Sequence, residues 1–132
     1  MVDSLRYKDW LEKSQKDLNA AIILKQNECG NDIVTFHCQQ SIEKSLKGFL
    51  LYKQGEIIEG HSLIYLCKQS IIYDPGLKTF LKECAFVNQY YIETRYPADN
   101  QIIVTDEETE DCIKIAETIY LQISKNINNI ID

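Results

Sequence analysis

The stretch NDIVTFHCQQSIEKSLKGFLLYK, residues 31–53, decides the fold, because its apolar side chains recur with the spacing of an α-helix. At about 100° per residue, one side of this helix collects the side chains expected in a core. These are Val34, Cys38, Ile42, Ser45, Leu46, Phe49 and Tyr52. Asn31 or Asp32 can cap the first turn. The stretch therefore predicts a long helix that ends near Lys53 and buries one face.

Four further segments have apolar residues at helical spacing, and no segment alternates with the period of a strand. One runs from about Leu5 to Cys29, and Gly30 can end it. A short helix follows Ser62, and another opens at Asp74-Pro75 and ends before Pro97. The last opens at Thr105, which forms a capping box with Glu108.

Because short connections make neighbouring helices antiparallel, the predicted fold class is all-α. We expect an antiparallel up-and-down bundle of four main helices plus one short helix, forming a single domain over residues 1–132. Five glycines and two prolines are too few for a turn-rich β fold. The acidic run at 106–111 is interpreted as a helix first turn that complements the helix dipole, in preference to a metal site.

The charge, the apolar runs and the cysteines of the sequence exclude several classes of function. The formal net charge of −6 opposes a general attraction to nucleic acid phosphates, although a local basic stripe could still bind them. No apolar run approaches the length of a membrane span, and no secretory signal is visible at the start. Five cysteines without a C-x-x-C pair, most of them among apolar residues, indicate reduced core side chains and a cytoplasmic location.

A polar stripe lies opposite the core face of the helix over residues 31–53. It consists of His37, Gln40, Lys44 and Lys47, gathered within roughly an 80° arc. Ile33 and Phe36 flank it at one end and Leu51 at the other, and a freely solvated face would not usually carry such residues. We therefore expect the stripe to line a cleft or a subunit interface, with a solvated face as the alternative. Glu43 can pair with Lys47 at i,i+4, which we expect to be an exposed and weak pair.

A second polar cluster follows the fourth predicted helix, at residues 90–97. Arg95 beside several tyrosines can bind phosphate or carboxylate, or it can satisfy the carbonyls at the end of that helix. Two histidines on different segments give no metal-ligand spacing, and His61 is expected to be buried and hydrogen-bonded. No phosphate-binding glycine loop and no nucleophile–base arrangement is visible.

Residues 36–47, FHCQQSIEKSLK, resemble the signature of the HEPN domain, the higher eukaryotes and prokaryotes nucleotide-binding family. Supporting matches are Asp17-Leu18, His61-x-Leu63 and Arg95-Tyr96-Pro97, so the resemblance covers nearly the whole chain. It implies a small helical bundle that commonly dimerises. It also implies a minimal nucleotidyltransferase partner, often in a toxin–antitoxin pair, and a nucleotide ligand.

The ribonuclease branches of this family use an arginine followed four to six residues later by a histidine, and this chain has no histidine after His61. Because this motif is absent, we expect a non-catalytic dimer, and the residues indicate neither a cofactor nor a metal. Its nucleotide-binding residues would be His37, Gln40, Lys44, Lys47, Arg95 and Tyr96. Two alternatives remain: a metal-independent ribonuclease with a rearranged site at His37 or His61, and a purely structural dimerisation module.

Overall fold

The computed structural model describes residues 4–91, residue 97 and residues 103–128, and in these ranges the chain forms helices and no strand. The α-helices are α1 (Tyr7–Gln26), α2 (Asn31–Gln54), α3 (Leu63–Tyr73), α4 (Leu81–Asn88) and α5 (Asp106–Asn128). Two 3-10 segments, Ser4–Arg6 and Pro75–Phe80, precede α1 and α4. The predicted all-α helical bundle is confirmed.

Helix α2 is the centre of the bundle, and it contacts all four other α-helices. Every residue of its predicted core face is buried except Tyr52, which is half-buried and packs edge-on against Tyr7 at 4.8 Å between ring centroids. Leu50 and Leu51, which lie outside the predicted face, are fully buried as well. An amphipathic surface helix buries one stripe, whereas α2 is covered on most of its circumference.

One connection departs from the antiparallel expectation. Residues 55–62 return along α2, so that the His61 carbonyl accepts a hydrogen bond from Gln39. At the other end of α3, the Tyr73 hydroxyl donates to Gln54, the last residue of α2. Helix α3 therefore runs in the same direction as α2. The return is possible because eight residues are enough to retrace three or four helical turns.

Three helix starts follow the capping chemistry predicted from the sequence. The Ser62 hydroxyl accepts from the Tyr65 amide, the Thr105 hydroxyl from the Glu108 amide, and the Asp74 carboxylate from the Gly76 amide. The third start differs in kind, because Pro75 opens a 3-10 segment and α4 begins only at Leu81. Glycine at position 76 disfavours an α-helix there, and 3-10 turns are common at helix starts.

Helix α4 is shorter than the sequence predicted. The expected helix continued to just before Pro97, whereas α4 ends at Asn88, and residues 92–96 lie outside the described ranges. Helix α1 also ends early, at Gln26 instead of near Cys29. These differences leave the helical order unchanged.

The cysteines behave mainly as core side chains. Cys38, Cys67, Cys84 and Cys112 are buried as predicted, Cys29 is exposed, and none is in a disulfide. Burial raises the pKa of Cys112 to about 12, so its thiol stays protonated at neutral pH.

The described part of the chain carries neither a membrane span nor a metal cluster. No helix there has the length and apolarity that a bilayer crossing requires. The same ranges contain no group of three or more His, Cys, Asp or Glu side chains arranged to hold a metal ion.

Helices α1 and α2 cross closely at Gly48. A Cβ atom at this position would lie 3.1 Å from the Trp10 Cβ and 3.3 Å from the Tyr7 carbonyl oxygen. Further along the crossing, the buried Ser14 hydroxyl donates to the Ser41 carbonyl at 2.7 Å. Glycine therefore permits the close approach of the two backbones.

We predict that Gly48→Ala lowers the free energy of unfolding by about 1–3 kcal/mol, because the added methyl overpacks the crossing. At a helix position with open space around it, a Gly→Ala change would instead raise the free energy of unfolding by about 1 kcal/mol. Urea denaturation measures the difference. Asn19→Ala, on the exposed side of α1, is the control and should not lower stability, because alanine is the better helix former. A rise in the midpoint for Gly48→Ala would contradict this packing.

Candidate functional site

A carboxylate of α1 joins two members of the predicted polar stripe. One Asp17 carboxylate oxygen lies 3.0 Å from His37 Nδ1, and the other lies 2.5 Å from Lys44 Nζ. His37 and Lys44 are seven residues apart, so they lie two turns apart on one face of α2. Their side chains keep 29% and 26% exposure, against 14% for Asp17. These three residues, here the Asp17 centre, form a partly open charged cluster.

A second cluster surrounds Glu43 on the neighbouring face of α2. Its carboxylate lies 3.2 Å from Lys47 Nζ and 3.0 Å from His61 Nδ1, and it accepts from Gln39 Nε2 at 3.3 Å. Glu43 is 5% exposed and Lys47 is 8% exposed, whereas the His61 side chain is 52% exposed. These four residues are the Glu43 centre. The three polar partners offset the cost of burying this carboxylate, because they neutralise its charge and use its lone pairs.

Two expectations about this cluster are wrong. The Glu43–Lys47 pair was expected to be exposed, yet both side chains are buried. The cause is that α2 lies inside the bundle, with Lys47 Nζ 5.8 Å from the Trp10 ring centroid of α1. His61 is hydrogen-bonded as predicted but is exposed instead of buried, because it lies in the returning segment before α3.

Gln40 lies between the two centres. Its Nε2 donates to Gln39 Oε1 at 2.7 Å, and Gln39 in turn donates to Glu43. Of the predicted stripe, His37, Gln40 and Lys44 are half-buried on one face, while Lys47 belongs to the buried pair. The structure thus divides the stripe between an open and a closed polar cluster.

An aromatic row connects the two histidines. The His61 ring stacks on Tyr91 at 4.6 Å between centroids, and Tyr91 stacks on Phe36 at 6.1 Å. Phe36 meets His37 edge-on at 5.9 Å. Phe36 stands out in the sequence as an apolar residue flanking the polar stripe. It could not place His61 beside Tyr91, because that contact depends on the path of residues 55–62.

Arg95 and Tyr96, the other two predicted site residues, lie outside the described ranges. Tyr90, at the start of their segment, is fully buried, and its hydroxyl donates to Glu108 at 2.7 Å. This hydrogen bond is the main reason that the pKa of Glu108 lies below its usual value, and the bond from the Thr105 hydroxyl is the second reason. Tyr90 is therefore anchored to the first turn of α5.

A small groove opens beside Lys44, with a volume of about 190 Å³. It is lined by Arg6, Asp9, Trp10, Lys13 and Lys44. Arg6 pairs with Asp9 at 3.3 Å, and both side chains are well exposed. The groove therefore presents three cationic side chains, one carboxylate and an aromatic ring next to the Asp17 centre.

We predict that Glu43→Gln lowers the free energy of unfolding by about 3 kcal/mol, because the change leaves the buried Lys47 ammonium without a counter-charge. The matched control is Glu12→Gln. Glu12 forms the same i,i+4 pair with Lys16 at 3.3 Å, but both side chains are 64% exposed. Its loss should cost less than about 0.5 kcal/mol. Equal losses in urea denaturation for the two variants would show that burial does not govern these pairs.

Comparisons with known proteins agree with this architecture. The structure matches TT1696 from Thermus thermophilus with a TM-score of 0.72 and 26% sequence identity, over 91% of this chain and 97% of that one. It matches ST0689, an archaeal HEPN homologue, with a TM-score of 0.73 and 26% identity, over 92% and 98%. None of the curated proteins compared with the chain matches it.

The family comparison covers both centres. The model of the HEPN domain matches residues 7–127, a range that begins with α1 and ends within α5. It includes Asp17, the signature stretch of α2 and His61, which the structure brings together in the two polar clusters. The chain belongs to the HEPN domain family.

Proposed function

We propose that this protein is a non-catalytic HEPN partner that binds a nucleotide or a similar polyanion, with the ligand's phosphates at the Asp17 centre. The observation that carries the proposal is the pair of donors, His37 and Lys44, held on one carboxylate and still partly open to solvent. Gln40 and, from the family signature, Arg95 and Tyr96 complete the proposed set of binding residues. Lys47, the other residue of the predicted stripe, is held in the buried pair with Glu43.

The adjoining groove supports an anionic ligand. Arg6, Lys13 and Lys44 supply three positive charges, while Asp9 and Asp17 supply two negative ones. A phosphate group brings up to two charges and several acceptor oxygens, so it can engage Lys44 and Lys13 together more strongly than one carboxylate does. Trp10 offers an aromatic surface on the same wall.

We further propose that the protein acts as a dimer with a minimal nucleotidyltransferase partner, in a toxin–antitoxin type of system. HEPN domains often dimerise, and their prokaryotic members often act beside such an enzyme. A reducing compartment such as the cytoplasm suits five cysteines outside disulfides.

Thermal unfolding with ATP, GTP and inorganic tripolyphosphate tests the binding proposal. We expect millimolar ligand to raise the melting temperature of the wild type, since a ligand at a hundred times its Kd stabilises by about 2.7 kcal/mol. Lys44→Ala should lose most of this rise. Lys16→Ala, which removes an exposed lysine of α1, should keep it.

Two outcomes would count against this proposal. The first is no stabilisation by any ligand in wild type and Lys44→Ala alike. The second comes from gel filtration of Gln40→Ala and Lys44→Ala. If either change converts a dimer to monomers, the stripe belongs to a subunit interface, and the purely structural module becomes the better description.

A second candidate, a metal-independent ribonuclease, is favoured by one observation. Each histidine has its Nδ1 against a carboxylate, Asp17 for His37 and Glu43 for His61. Such a carboxylate orients an imidazole for proton transfer through Nε2. Cleavage of RNA by the purified protein, lost on His37→Asn or His61→Asn, would establish this function. We expect no cleavage, because the arginine–histidine motif is absent.

A further inference from the structure

The aromatic row has an open end. His61 stacks on Tyr91 with an angle of 22° between the rings, and Tyr91 stacks on Phe36 at 26°. The His61 side chain is 52% exposed, although its ring lies against Tyr91 on one side. A planar molecule from solution can therefore extend the stack on the exposed surface of the imidazole.

The orientation of this ring is fixed before any ligand arrives. His61 Nδ1 lies 3.0 and 3.2 Å from the two carboxylate oxygens of Glu43. Lys47 and Gln39 hold Glu43 in turn, inside the bundle. A ring that is already oriented loses little conformational entropy on binding, so most of the stacking energy goes into affinity.

The local charge suits an uncharged ring better than a phosphate. The Glu43 carboxylate and the Lys47 ammonium offset one another within 3.2 Å. At the open end the Glu43 carboxylate faces the imidazole directly, which disfavours a second anion there. The Asp17 centre and its groove, in contrast, carry the more exposed cations.

We propose that the row formed by His61, Tyr91 and Phe36 is the platform on which the base of the bound nucleotide stacks. This inference rests on the proposed function and names the base as the part of the ligand that the row binds. His37 and Glu43 are six residues apart on α2, about 9 Å along its axis. An elongated ligand can thus place phosphate at the Asp17 centre and base at the row. Stacking tolerates any base, because every base has a π-face.

The two histidines of this chain allow the two halves of the ligand to be tested separately. Imidazole resonances in NMR spectra are assigned with His61→Ala. Adenosine, which lacks phosphate, should shift the His61 resonances and leave those of His37 in place. Ribose 5-phosphate, which lacks the base, should shift His37 and leave His61 in place.

Affinity measurements provide the matched variants. His61→Ala should weaken ATP binding at least five-fold, whereas His61→Phe, which keeps an aromatic ring, should stay within two-fold of the wild type. Neither change should alter the affinity for tripolyphosphate. Lys47 and Gln39 still hold Glu43 in both variants, so both should fold, which circular dichroism checks.

The outcomes separate this inference from the proposed function. If ribose 5-phosphate shifts His37 but adenosine shifts neither histidine, the platform is refuted and the anion site stands. If adenosine shifts the His61 resonances and ribose 5-phosphate shifts neither histidine, the platform stands and the proposed phosphate site fails. Equal ATP affinity for wild type and His61→Ala refutes the platform, as does adenosine shifting both histidines equally.

Discussion

Burying a carboxylate costs several kcal/mol unless its charge is neutralised and its lone pairs are used, and the centre of this protein satisfies that constraint at Glu43. Two parts of the chain contribute its partners: Gln39 and Lys47 come from α2 itself, and His61 comes from the segment that returns along it. The path of residues 55–62 and the start of α3 are thereby tied to the middle of α2. Lys47 in turn lies over Trp10, so the same cluster also reaches α1.

The two polar clusters on α2 differ in how open they are, and this difference suggests different roles. At the Asp17 centre the donors keep more than a quarter of their surface, beside a groove with further cations. In the Glu43 centre the ion pair is closed and only the imidazole reaches solvent. Gln40, on the same face of α2 as His37 and Lys44, donates to Gln39 of the Glu43 centre. A ligand that contacts both would meet charge at one end and a flat ring at the other.

Much of the fold was predictable because it depends on local rules. Helical spacing identified the core face of α2, and caps at Ser62 and Thr105 located two helix starts. The burial of Lys47 was not predictable, because i,i+4 spacing looks the same for an exposed and a buried pair. The partners Asp17 and His61 depend on how distant segments pack, which no local pattern encodes. Asp17 and His61 both stood among the matched family positions, and that was the available signal.

The shared direction of α2 and α5 has an electrostatic consequence. Asp106, the first residue of α5, accepts hydrogen bonds from Lys25 at the end of α1 and from Asn31 at the start of α2. Helices α2 and α5 therefore begin at the same end of the bundle. Their aligned dipoles concentrate partial positive charge there. The Asp106 carboxylate lies where the two amino-terminal ends meet, and its bonds to Lys25 and Asn31 keep its pKa below the usual value. The Asp106 carboxylate and the negative carboxyl end of α1 together oppose the positive charge of these two helix starts.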